Sequence, residues 1–163
     1  TIEFSRYKPT FVSGKFKFLT KIGNVVKAVI KTVFKRKRAP MSTIKTVRIY
    51  AKEQPAGYRI LVDRLWPRGI KKEAANLDEW KKELAPSRDL RTWFKHDPAR
   101  YTDFRQDYLE ELADNPEWPP FVEHLQELLQ KGDVLFLYGA KDEEHNQAVV
   151  LKEAAEEALA KLP

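Results

Sequence analysis

The densest chemistry in the chain lies in "RILVDRLWPRGIKK", residues 59–72, where Asp63, Arg64, Trp66, Arg68 and Lys71 follow an apolar run within nine positions. Guanidinium groups present forked donors that match a carboxylate or phosphate two hydrogen bonds at a time, and lysine adds a point charge. An indole supplies a wall for a base or another planar group. A second cluster, "LRTWFKHDP", offers Arg91, Trp93 and His96. Arg91 and Trp93 face either the core or a pocket, and His96 either closes a helix or, beside Arg64, moves a proton near neutral pH. Arg105 and Tyr108 share a helical face by their spacing of three. In "LYGAKDEEHNQA", Tyr138 ends a strand, and one of Asp142 and Asn146 caps the following helix while the other is free for a ligand. The expected ligand-binding set is therefore Arg64, Trp66, Arg68, Lys71, Trp93, Arg105, Tyr138 and Asn146, with His96 and Asp63 as candidates for proton transfer. Against it stands a structural reading in which Asp63 and Arg64 pair with neighbours, Trp66 fills core volume, and Pro67 with Gly69 shapes a turn.

Other chemistries lack their residues. With no cysteine there is no thiol nucleophile, thiolate metal site or disulfide, which fits a cytoplasmic protein. Neither a GxGxxG nor a GxxxxGK loop occurs. His96, His124 and His145 stand far apart without ligand spacing. Neither cofactor nor metal is expected.

These groups need elements to hold them. Two strands are predicted at about 45–50 and 59–65, and "DVLFLYGA", residues 133–140, has the unbroken apolar run of a parallel strand covered on both faces. Helices are predicted at about 77–84, 87–95, 98–113, 119–131 and 145–161, opening near Asn76, Ser87, Asp97 with Pro98, and Pro119 with Pro120. Few strands and many helices give an α/β fold: a small, mostly parallel sheet covered by several helices, with an N-terminal amphipathic helical extension. In such a sheet ligands sit at the carboxyl ends of the strands, where residues 63–72 and 138–146 fall.

Charge divides the chain of 163 residues. Residues 1–40 carry eleven Lys or Arg against Glu3 alone, a balance of +10, while residues 41–163 balance at −4. Met41 opens "MSTIKTVRIY", so residues 1–40 are expected to be an upstream extension, an alternative start or a non-native segment, and residues 41–163 the α/β domain. Within the extension, residues 15–38 alternate lysines with Phe, Val and Ile at helical spacing. Three partners suit that stripe: the main domain or a second copy of it, an anionic membrane surface, or nucleic acid through Lys35 to Arg38. No apolar run reaches the roughly 18 to 20 residues of a spanning helix. The chain is expected in the cytoplasm, with peripheral membrane association open.

Four stretches in order, "GYRILVDRLWPRGIKKE", "APSRDLRTWFKHDP", "FRQDYLEEL" and "FLYGAKDEEHNQAVVLKE", resemble the domain-of-unknown-function 488 (DUF488) family in its YeaO-like group, over about residues 45–155. The resemblance implies a compact α/β domain and no settled reaction. Other branches resemble proteins of nucleic-acid or nucleotide metabolism and often contain cysteines, which this chain lacks. Lys95 stands where the family more often has glycine. The expected function is therefore binding of a small anionic ligand, phosphate-, carboxylate- or nucleotide-like, in an Arg/Trp pocket, with enzymatic turnover left open. The alternative is a nucleic-acid-binding or membrane-surface module using the basic N-terminal helix, and the −4 balance after Met41 opposes a broad nucleic-acid face.

Overall fold

A computed structural model describes residues 41–163, of which Ser42–Pro163 form one compact unit. Its strands are β1 (Ile44–Arg48), β2 (Tyr58–Leu61), β3 (Glu79–Trp80) and β4 (Val134–Tyr138). They form one sheet in the order β1-β4-β2-β3. Every pairing is parallel: Ile44 to Arg48 run beside Val134 to Tyr138, Tyr58 to Leu61 beside Val134 to Leu137, and Ile60 and Leu61 beside Glu79 and Trp80. The helices are α1 (Lys72–Ala75), α2 (Arg88–Phe94), α3 (Tyr101–Asp114), α4 (Trp118–Leu129) and α5 (Gln147–Ala160). The expected amphipathic helix of residues 15–38 lies outside the described residues.

The two-residue alternation of β4 divides the core. Val134, Phe136 and Tyr138 join Ile44, Ile60 and Val62 against α2 to α5, burying Phe94, Phe104, Tyr108, Phe121, Leu125 and Leu151. Leu135 and Leu137 face the other way, onto Ile49, Leu61 and Ala75, with Trp66, Ile70, Leu77 and Trp80 packed around them. All five β4 residues are buried, as a central strand covered on both sides requires. The second cover is largely loop, residues 66–78 with the single turn of α1 in it, joined by Trp80 from the edge strand β3.

Local signals explain most boundaries. The Ser87 hydroxyl accepts a hydrogen bond from the Leu90 amide and caps α2. Asp97 caps the 3-10 turn Pro98–Arg100 that leads into α3, and Pro119 and Pro120 occupy the first turn of α4. One predicted element is corrected: residues 77–84 form no α-helix but the edge strand β3 followed by a 3-10 turn, Lys82–Leu84. Asn76, expected to open that helix, closes α1 in a left-handed conformation. The cause is a carboxylate network. Glu79 accepts hydrogen bonds from the Tyr58 hydroxyl on β2 at 2.8 Å and pairs with His124 on α4 at 2.6 Å and Lys81 at 2.8 Å. These contacts hold the segment against β2, overriding its helical composition.

Candidate functional site

At the carboxyl ends of β2 and β4 the chain leaves the sheet and opens a cavity of about 460 Å³. Residues 63–68 form one wall, Pro86, Arg91, Phe94 and His96 a second, and Phe104, Gly139, Ala140 and Gln147 complete it. Five sequence candidates line it together: Asp63, Arg64, Trp66, Arg68 and His96. Arg91, which could have faced core or pocket, lines it too.

Asp63 is the most constrained of them. One carboxylate oxygen accepts the Gly139 amide at 2.8 Å, and the other accepts the side-chain amide of Gln147. Burial pushes its pKa up from 3.8 to about 6, against the pull of Gly139, Gln147 and Arg91 in the other direction. The geometry depends on β4 ending in glycine, because a Cβ at Gly139 would lie 3.1 Å from the Asp63 carboxylate. Gln147 is positioned by the start of α5. Asn146, fully buried, accepts hydrogen bonds from the Ala148 and Val149 amides, placing Gln147 as the first helical residue. Asp142 instead folds the preceding turn, accepting the amides of Glu144 and His145.

The arginines divide their work. Arg64 donates from Nε to the Pro86 carbonyl at 2.9 Å and from Nη2 to the Ala85 carbonyl at 3.0 Å. The fork expected to grip an anion therefore clamps the chain before α2 to the end of β2. Arg68, exposed at the rim, and Arg91, half-buried, make no side-chain hydrogen bond or ion pair among the described residues. Trp66 donates from Nε1 to the Ile70 carbonyl at 2.7 Å and meets Trp80 edge-on with ring centroids 5.4 Å apart. It braces the 66–70 turn and lends the cavity part of its surface. Gly69, at φ +76°, closes that turn in a conformation that favours glycine.

Other candidates lie elsewhere. Trp93 is outside the cavity, with Arg100 over its ring, so Trp66 and Trp93 do not form one aromatic wall. Arg105 pairs with Glu153 at 2.8 Å, whereas Tyr108 on the same helix is buried and donates to the Leu84 carbonyl. Lys71 is exposed before α1. Tyr138 is buried in the helix-side core, and Asn146 is the α5 cap. Sequence reasoning missed Gln147, Gly139 and the apolar floor of Phe94 and Phe104. The signal for the first two was modest: a glycine directly after a fully apolar strand, and a glutamine directly after a capping residue. Among the described residues, no cluster of three His, Cys, Asp or Glu side chains could hold a metal, and no helix is long and apolar enough to cross a membrane.

An all-parallel α/β domain with a cavity at its central strand ends is the class that fold and site define. Residues 43–162 match the family described as the inactive DUF488-N3 subclade, and the chain belongs to that family. It is similar to YeaO, an uncharacterised protein of Escherichia coli (strain K12), with 48% identity over 99 residues, covering 61% of this chain and 84% of the relative. It is also 42% identical over 73 residues to uncharacterised proteins of Mycobacterium tuberculosis and Mycobacterium bovis, covering 44% of this chain and 62% of each relative. No solved structure matches.

Proposed function

We propose that this domain binds a small anionic ligand in the strand-end cavity and holds it without turning it over. The observation that carries the reading is the pair Arg68 and Arg91, two cationic residues lining one concavity with no side-chain hydrogen bond or ion pair among the described residues. Cationic donors that converge on a pocket and are not engaged by the protein are available to a carboxylate or phosphate. Arg64 serves as the clamp that positions Pro86. The description of the family as an inactive subclade supports binding over catalysis. So does the surrounding of Asp63, whose carboxylate oxygens already accept two protein donors.

Calorimetric titration of the full-length chain with inorganic phosphate tests the reading. A charge-assisted hydrogen bond contributes about 1.5 to 3 kcal/mol, so Arg91→Ala and Arg68→Ala are each expected to weaken binding by about tenfold or more. Arg68→Lys, which keeps the charge and loses the fork, weakens it less. All three melt close to the parent, whereas Arg64→Ala lowers the melting temperature. Phosphate affinity unchanged by loss of both Arg68 and Arg91 would overturn the reading.

A further inference from the structure

A pocket built for a bare anion has no use for a carboxylate, yet Asp63 lines the same cavity as Arg68 and Arg91. Resting on the anion-binding reading, we infer that the ligand carries two unlike polar groups: an acid group for Arg68 and Arg91, and an N–H donor that Asp63 accepts. A carboxylate offers about four lone-pair positions, and Gly139 and Gln147 take one on each oxygen. The remaining positions are open to a further donor. Gly139 keeps this corner free of a side chain. The lining also carries apolar surface from Pro67, Pro86, Phe94 and Phe104, suited to a carbon chain or ring. The groups facing Asp63 are Arg91 from α2, Gln147 from α5, the Gly139 amide at the end of β4 and its chain neighbour Arg64. His96 stands at the rim. Asp63 is thus the residue that selects among acids of similar size.

The N–H donor belongs either to an amine or to a nucleobase, and two pairs of probes separate these sources. O-phosphoethanolamine is compared with ethyl phosphate, and guanosine monophosphate with the monophosphate of unsubstituted purine riboside, by calorimetry on the full-length chain at pH 7.5. In one pair the donor-bearing member is expected to bind at least tenfold tighter. Asp63→Asn abolishes that preference and does not weaken binding of the donor-lacking member, which no longer meets a like charge in the same cavity. A second measurement needs no substitution: the preference shrinks as pH falls from 7.5 to 5, through the range in which burial makes Asp63 take up its proton. The same pH series on Asp63→Asn isolates Asp63, because protonation of the phosphate is common to parent and variant.

Equal affinities within both pairs overturn this inference while leaving the anion reading intact, provided Arg91→Ala still weakens binding. A preference unmoved by both Asp63→Asn and pH overturns it as well. Failure of all four probes and of inorganic phosphate to bind takes the anion reading down with it.

Discussion

Asp63 sets a stability cost that its surroundings only partly offset. Removing a carboxylate from water disfavours its charged form, and here that effect outweighs two hydrogen bonds and the Arg91 charge, leaving a pKa of about 6 against 3.8. The native state therefore holds a proton that the unfolded chain has released between these values. Stability contributed by the protonated group is fully present below about pH 4 and is lost as pH rises through 6. At 1.36 kcal/mol per pKa unit the loss is on the order of 2 to 3 kcal/mol. Urea denaturation of Asp63→Asn at pH 4 and pH 7 is expected to show a smaller drop between these two values than the parent; an equal drop would place the titrating group elsewhere. Residue types were legible in the sequence, but their partners were not. An arginine beside a strand end looks the same whether it ends on two carbonyls, as Arg64 does, or makes no side-chain hydrogen bond or ion pair among the described residues, as Arg68 does. Lys95 is the converse case. The glycine more usual there in the family has a visible reason, because Lys95 closes α2 at φ 48° and His96 follows at φ 56°.

Elements with a strong period, a cap or a long apolar run were readable: β4 from its unbroken hydrophobic stretch, α2 from Ser87, α3 from Asp97 and Pro98, α4 from its prolines. β3 was not, since two residues are too short for any alternation to show and their place is fixed by tertiary contacts. Partial burial raises the Glu79 carboxyl, but hydrogen bonds from Lys81, His124 and Tyr58 outweigh it and bring the pKa to about 2. A carboxylate shared by β2, α4 and the end of β3 is a tertiary fact that no local window contains. The start of β2 is equally demanding. Gly57 precedes it, and a Cβ there would lie 2.8 Å from the Asp133 carbonyl, which accepts the Tyr58 amide, and 3.0 Å from Leu135 Cγ. Gly57→Ala is expected to cost about 1 to 3 kcal/mol, because the β2–β4 ladder must shift to admit a methyl group. Chemical denaturation measures it, and an unchanged midpoint would show that the Asp133 carbonyl yields freely.

On the scale of the whole molecule, one sheet separates two apolar layers among the described residues. The helix side draws on α2 to α5, and the opposite side on Ile49, Ala75 and the loop residues around Trp66 and Trp80. The α/β class was legible from few strands among many helices, but the order β1-β4-β2-β3 was not, since nothing local tells β4 to enter between two strands laid down some eighty residues earlier. Among the described residues, both sheet faces pack against elements from within residues 44–160. A chain of residues 41–163 alone is therefore expected to unfold in one cooperative transition, with coincident midpoints by tryptophan fluorescence and far-ultraviolet circular dichroism. Trp66 and Trp80 pack against one sheet face and Trp118 against the other, so the fluorescence reports on both layers. Separate midpoints, or a product that binds hydrophobic dye and lacks near-ultraviolet dichroism, would mean that the basic segment supplies part of the packing. A coincident transition would place the stability of fold and cavity in residues 41–163, leaving the +10 charge of residues 1–40 to act on partners rather than on folding.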